Sequence, residues 1–201
     1  MKRTIIIILA LVTLLTMSIN AQVKKYGLKS GIVSYSTETM GTKVKSTLYF
    51  DDYGKVECLE TVFEMDLGDS KEVTHNRALT KDGYLYSFDI EKKTGTKRVI
   101  SPRLSGQYDF ANMSDKMRKE YQLKELGSEK FLGRECKKYS MNNKDMEMKG
   151  TFLIWNNIPL KSETNAGGMD AEMHATKVEE NVKIPAEMFE VPKGIVLRED
   201  R

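Results

Sequence analysis

The sequence predicts a mainly β protein of the α+β class, in which one antiparallel sheet carries a single helix. Three observations lead to this prediction. Apolar and polar residues alternate with a period of two along most of the chain, short polar turns separate these runs, and one stretch alone changes to helical spacing. Runs joined by tight turns are typical of an antiparallel meander rather than of βαβ units.

The first clear strand signal lies at Thr42–Phe50, where Leu48 and Phe50 fall on the same face and lysines fall on the other. That pattern is typical of an antiparallel strand with one buried face. An Asp-Asp-Tyr-Gly turn follows at residues 51–54. The next run, Lys55–Met65, carries apolar groups on both faces and therefore predicts a central strand.

The same alternation continues to the end of the chain. Turn signals such as Lys81-Asp82-Gly83 and Gly167-Gly168 separate the runs. Strands are predicted, in order, over residues 71–80, 84–89, 95–100, 133–141, 146–155, 160–165, 169–177 and 178–184.

The segment Ser114–Leu126 predicts a helix, because it is rich in helix formers, opens with a serine suited to the N-cap and precedes Gly127. Met113, Met117 and Tyr121 recur every fourth residue and form one apolar stripe. We expect the helix to cover the core of the sheet, either as a fixed plug or as a movable lid. The plug is favoured, since an apolar stripe must be buried against another element.

Residues 1–21 have the layout of a secretory signal: two basic residues, an apolar run that ends at Ile19, and the small Ala21 before the cut. An uncleaved anchor is the alternative. Residues 22–201 are then expected to form a single domain of an exported, periplasmic protein, which can also lie peripherally at the outer membrane.

Composition and motifs predict a non-enzymatic protein with no cofactor and no metal. Loss of the signal lowers the formal net charge from +3 to +1, so no basic footprint for nucleic acid remains. The chain contains no Gly-x-Ser-x-Gly elbow, no His-Glu-x-x-His helix and no phosphate-binding Gly-rich loop. His75 and His174 lie among polar neighbours and are expected to face solvent.

Two cysteines, Cys58 and Cys136, remain in the exported chain. An oxidising compartment allows a disulfide between them. Each lies in a strand-like segment beside apolar residues, however, which fits two buried thiols equally well. Both alternatives stay open.

Three segments resemble a known group of proteins: Leu-Gly-Arg-Glu-Cys-Lys-Lys-Tyr at 132–139, Leu-Ile-Trp-Asn-Asn-Ile-Pro-Leu-Lys-Ser-Glu at 153–163, and the closing stretch 184–194. They resemble exported proteins of unknown function related to the LolA/LolB-like periplasmic lipoprotein carriers. The resemblance is clearest over residues 127–194. It implies a curved antiparallel sheet that forms an incomplete barrel, covered by one or more helices. Carriers of this kind hold the acyl chains of lipoproteins in an apolar cavity.

Face alternation then predicts which side chains line such a cavity. The predicted ligand-binding residues are Leu48, Phe50, Leu59, Phe63, Phe88, Met117, Tyr121, Met169 and Met173. The function expected is periplasmic binding of an apolar or acylated ligand, as a lipid or lipoprotein carrier or sensor. The alternative is an envelope structural or interaction protein with a solidly packed half-barrel and a protein partner. An empty apolar cavity favours the first function, and a filled interior favours the second.

Overall fold

The computed structural model describes residues 24–39, 42–66, 71–100, 110, 113–145 and 147–199. The predicted signal segment lies outside the described residues. The strands are β1 Gly31–Thr39, β2 Thr42–Asp51, β3 Val56–Asp66, β4 Lys71–Lys81, β5 Tyr84–Asp89, β6 Thr94–Val99, β7 Lys124–Phe131, β8 Arg134–Asn143, β9 Met148–Trp155, β10 Ile158–Ala166, β11 Met169–Glu180 and β12 Val196–Glu199. One α-helix, α1, spans Asp115–Glu120, and short 3₁₀ turns span Asp52–Gly54 and Ala186–Phe189.

All 12 strands belong to one curved sheet, in the order β12-β6-β5-β4-β3-β2-β1-β11-β10-β9-β8-β7. Two meanders, β1 to β6 and β7 to β11, are joined where β1 pairs with β11. Every neighbouring pair is antiparallel except β12 and β6, which are parallel. The prediction of a mainly β fold built on an antiparallel meander is confirmed.

The first described residues, 24–30, close one end of the sheet. The backbone N–H of Tyr26 donates to the carbonyl of Tyr53 at 3.0 Å, and that of Gly27 donates to the carbonyl of Asn156 at 2.8 Å. These carbonyls lie in the β2–β3 and β9–β10 turns. In a flat sheet β2 and β10 are three strand spacings apart, about 14 Å. Two consecutive residues reach both turns because the sheet bends towards itself at this end.

Gly54 in the β2–β3 turn allows this close approach. Its φ is +85°, and a Cβ added there would lie 2.6 Å from Cδ2 of Tyr26. Only glycine accommodates both the left-handed backbone and the neighbouring ring. Strand bulges at Ser34/Tyr35 and at Pro159/Lys161 interrupt the ladders, and such bulges bend and twist a strand locally.

The buried apolar residues form three clusters. The central cluster contains Tyr26, Val33, Tyr35, Leu48, Phe50, Cys136, Leu153, Ile158, Leu160 and Ala175. The helix cluster contains Phe110, Met113, Tyr121, Tyr139, Met141, Phe152 and Ile154. The C-terminal cluster contains Cys58, Leu79, Phe88, Ile184 and Met188.

Helix α1 begins as predicted but is shorter. The Ser114 hydroxyl accepts a hydrogen bond from the backbone N–H of Met117 at 3.3 Å, which caps the helix. Met113 and Tyr121 are buried, and Met117 packs beside them, so the predicted stripe is confirmed. The stripe packs against β8 and β9 and covers only that part of the sheet.

The predicted extension of the helix to Leu126 is wrong. Gln122 adopts a φ of +45°, which ends the helix, and Lys124 begins β7. Residues 124–131 pair with β8 through a hairpin instead. Helix propensity alone favours the longer helix, and the ladder hydrogen bonds to β8 outweigh it. The split between residues 177 and 178 is also wrong, because β11 runs without interruption to Glu180.

Both cysteines are free, buried thiols, and the structure contains no disulfide between them. They lie in different clusters: Cys58 in the C-terminal cluster and Cys136 in the central cluster. Burial raises the pKa of Cys58 to about 11 and also raises the pKa of Cys136. Each thiol therefore behaves as a small apolar group at neutral pH.

Among the described residues, no helix has both the length and the apolar character needed to cross a membrane.

Candidate functional site

Several open cavities lie over the described part of the sheet, and the larger of two sizeable ones is bordered by many charged residues. It has a volume of about 850 Å³ and is bordered by β1 and by β8 to β11. Its charged residues are four acids and one lysine: Glu38, Lys149, Glu163, Asp170 and Glu172. It borders none of the nine residues predicted to bind a ligand.

The strand register aligns three of these acids. Glu172 lies directly opposite Glu38 on one side and Glu163 on the other. Like charges at such positions repel each other. Lys161 offsets part of the repulsion, with its Nζ 2.7 Å from Oε1 of Glu163 and 4.0 Å from Oε1 of Glu172. The larger cavity thus carries a cluster of acidic side chains along its border.

The smaller cavity, which we call the groove, has a volume of about 480 Å³ and lies over β3 to β6 and β12. Register partners in a sheet share a face. Two cross-strand rows of side chains therefore line the groove. The first row is Leu59, Ala78, Ser87, Thr96 and Arg198. The second row is Thr61, Asn76, Asp89 and Thr94.

The inner end of the groove is apolar and lies beside a core residue in the strand register. Leu59 is 39% exposed, and its register partner on β2 is Leu48, which is 8% exposed and belongs to the central cluster. Beyond Leu59 the first row carries only short side chains until Arg198. Those short side chains leave the volume that the groove occupies.

The opposite face of the same strands is packed. Phe88 borders the groove through β5, but alternation after Ser87 turns its ring to the other face. There it is 2% exposed and packs in the C-terminal cluster with Leu79 and Met188. This packing supports the floor of the groove from behind.

One acid and one arginine of the groove differ in how they are paired. Asp89 accepts hydrogen bonds from the backbone N–H and from Nζ of Lys92, both at 2.9 Å, and these bonds lower its pKa. Within the described part of the chain, no hydrogen bond or ion pair engages the guanidinium of Arg198. The groove therefore contains an ionised carboxylate that is paired with a lysine, and a guanidinium without a partner among the described residues.

A third charged residue near the groove, Arg77, forms its ion pair on the opposite face of the sheet. Arg77 borders the groove through β4. Its guanidinium binds Glu60, and Nη2 of Arg77 lies 2.9 Å from Oε1 of Glu60. His75 contacts the same oxygen at 2.8 Å. Burial opposes ionisation of Glu60, but the hydrogen bonds from His75 and Arg77 outweigh it and lower the pKa of Glu60.

The structure does not bring the nine predicted ligand-binding residues into one cavity. Leu59 and Phe88 border the groove. Of the others, Phe63 is half-buried on β3 and Met169 is 57% exposed on β11. The remaining five lie in or against the central and helix clusters: Leu48, Phe50, Met117, Tyr121 and Met173. The ligand-binding role of all nine stays a prediction.

Sequence reasoning missed most of the groove. Ala78, Ser87 and Thr96 are short and carry no chemical signal by themselves. Arg198 lies on β12, a strand that the sequence did not predict. Alternation was the one usable signal, since it correctly places Leu59 on the face opposite Cys58. Among the residues that the structure describes, no group of three or more potential metal ligands occurs.

Comparisons with known proteins give similarity of fold only. No protein-family model matches the chain, and no curated protein matches its sequence. The fold is similar to that of an uncharacterized conserved protein from Thermus thermophilus, with a TM-score of 0.57 and 10% sequence identity over 87% of this chain and 93% of that one.

A second similar structure is MucB, solved in complex with MucA(peri), with a TM-score of 0.50 and 12% identity over 82% of this chain. This chain spans 55% of the MucB chain. A domain described as belonging to an outer membrane lipoprotein-sorting protein of Vibrio parahaemolyticus matches with a TM-score of 0.39 and 14% identity over 80% of this chain and 88% of that domain. These similarities show likeness of fold alone, and the predicted relation to the lipoprotein-carrier superfamily stays a prediction.

Proposed function

We propose that this chain is an exported, periplasmic, non-enzymatic binding protein that holds an apolar or acylated ligand in the groove. Residues 1–21 act as its signal peptide, and residues 22–201 form a single domain with an incomplete, LolA-like barrel. One observation carries the proposal. The groove of about 480 Å³ has an apolar side chain, Leu59, at its inner end, and its register partner is Leu48 of the central cluster.

The energetics of such binding need no catalytic group. Burying hydrocarbon is favourable by about 0.8 kcal/mol for each CH₂. Ligand cavities for small molecules usually measure about 300–1,000 Å³. The groove falls within that range, and the packed C-terminal cluster behind it keeps its floor in place without a ligand.

The proposal is tested by native mass spectrometry of the exported protein, which is expected to show co-purified lipid. Displacement of the fluorescent fatty acid cis-parinarate then locates the site. Leu59→Asp places a charge at the apolar end of the groove and is expected to weaken binding strongly. Val73→Asp is the matched control, since Val73 is 45% exposed on β4 and does not border the groove. If both variants bind the ligand equally well, the groove is not the binding site.

A second function, an envelope interaction protein with a solidly packed interior, is favoured by a different observation. Phe50, Ile158 and Leu160 are fully buried in the central cluster, and the larger cavity is acidic. MucB, whose fold is similar, was solved with a protein partner. This function predicts ligand-free protein in native mass spectrometry. It also predicts that Glu172→Lys, which reverses a charge of the larger cavity, abolishes binding to an envelope protein while Leu59→Asp does not.

A further inference from the structure

We propose that the groove selects a single-chain amphiphile with an anionic head, and that the guanidinium of Arg198 binds the head while the hydrocarbon chain runs towards Leu59. This inference rests on the proposed function and specifies the chemistry of its ligand.

The first argument is the order of side chains along the groove. From the core outwards the first row reads leucine, alanine, serine, threonine and arginine, so polarity rises with distance from the central cluster. Leu48 extends the apolar end of this row into the core. A molecule that is apolar at one end and charged at the other matches this gradient in one orientation only.

The second argument is length. Leu59 and Arg198 are four strand spacings apart, which is about 19 Å at about 4.8 Å for each spacing. That distance is comparable with the length of an extended long-chain fatty acid. The short side chains of Ala78, Ser87 and Thr96 border the groove between these two ends. One hydrocarbon chain, lying across the strands, fills it.

The third argument is charge. Among the described residues that border the groove, Arg198 is the unpaired cation, because the Arg77 guanidinium is bound to Glu60 on the other face. The acid of the groove, Asp89, is paired with Lys92 and therefore repels an anionic ligand less than a bare carboxylate would. Glu199 follows Arg198 along β12 and alternates to the other face.

A guanidinium binds planar or tetrahedral oxyanions through two parallel hydrogen bonds, and it keeps its charge at every physiological pH. A carboxylate or a phosphate monoester on a single acyl chain provides such an oxyanion. A neutral ester head offers no comparable partner. The groove should therefore rank ligands of equal chain length by the charge of their heads.

The experiment uses the full exported chain and displacement of cis-parinarate by three probes of equal chain length: palmitate, methyl palmitate and hexadecyltrimethylammonium. The wild-type protein is expected to prefer palmitate. Arg198→Gln is expected to weaken palmitate binding by at least about tenfold, which corresponds to the loss of one charge-assisted hydrogen bond, and to leave methyl palmitate unchanged. Arg198→Lys is expected to restore part of the preference.

The control variant is Lys97→Gln, which removes the same charge from the neighbouring strand. Lys97 lies on the other face, with its Nζ 4.1 Å from the centre of the Tyr84 ring. Thermal melts of all variants check that β12 stays folded. This control is expected to bind palmitate as the wild type does.

The remaining outcomes separate the two proposals. If Arg198→Gln leaves palmitate unchanged while Leu59→Asp weakens every probe, the groove binds hydrocarbon and the anionic preference is refuted. If Arg198→Gln weakens palmitate and methyl palmitate equally, Arg198 acts through β12 rather than on the head, which also refutes it. If the wild-type protein binds none of the probes, the proposed function itself fails.

Discussion

Truncation of Phe50 distinguishes a packed core from a ligand cavity at the centre of the sheet. The sequence placed Phe50 among the lining residues of a cavity, whereas the structure buries it completely in the central cluster. Its ring centre lies 4.6 Å from that of Tyr26, and a Cβ added to Gly31 would lie 2.7 Å from its Cζ. Phe50→Ala removes the ring from a closely packed site.

The magnitude follows from this burial. Loss of a buried phenylalanine ring costs about 3–5 kcal/mol in the free energy of unfolding, because the transfer energy is lost and a void remains. For a domain of this size each kcal/mol lowers Tm by about 2–4 °C, so we expect a fall in Tm of about 6–20 °C. Circular dichroism during thermal and urea denaturation measures both quantities.

The matched control is Met169→Ala, since Met169 was also a predicted lining residue but is 57% exposed. A surface truncation of this kind usually changes stability by less than about 0.5 kcal/mol. The reasoning is refuted if Phe50→Ala costs less than about 1 kcal/mol, or if it leaves stability intact and abolishes ligand binding. Either result means that the ring lines an open cavity rather than a filled core.

Three further predictions concern other regions. Ala78→Phe fills the middle of the groove and is expected to abolish cis-parinarate binding without lowering Tm, because Ala78 faces open space; unchanged binding would place the ligand elsewhere. The lowered pKa of Glu60 stabilises the folded state above the ordinary carboxyl pKa of 4.5, and this stability is lost as the pH falls below 4.5 through the folded pKa. Urea denaturation from pH 6 to pH 3 is therefore expected to show a smaller loss of stability in Glu60→Gln than in the wild type, and equal slopes would contradict the role of Glu60. Cys58, with a pKa of about 11 and 1% exposure, is expected to react with iodoacetamide at pH 8 only in denaturant, and rapid labelling of the native protein would be inconsistent with its burial.

Sequence patterns predicted strands and turns well wherever the residues that determine the element lie close together in the chain. The strand at residues 84–89 has the predicted bounds, and the Asp52–Gly54 turn lies where the polar residues indicated. The Ser114 cap was also predictable, because an N-cap hydrogen bond joins residues three positions apart. The length of the helix was not, since it ends where residues 124–131 find a partner in β8.

The candidate site was harder to predict, because it depends on neighbours that are distant in sequence. Leu59 was identified from alternation, but the row that it begins requires four further strands in one register. Arg198 joins the row only because β12 adds to the sheet in parallel beside β6. The residues around Arg198 in sequence do not indicate that its side chain will lie in the same row as Leu59.

The sequence by itself determined the class of fold, the faces of the individual strands and the stripe of the helix, since each depends on side-chain periodicity along a short segment. The tertiary structure alone decided which strands became neighbours. Pairing β1 with β11 joins residues more than one hundred positions apart, and the bulges and the anchored residues 24–30 then bend the sheet. Backbone hydrogen bonds in a sheet are chemically alike, so the choice among partners depends on how much apolar surface the whole sheet buries.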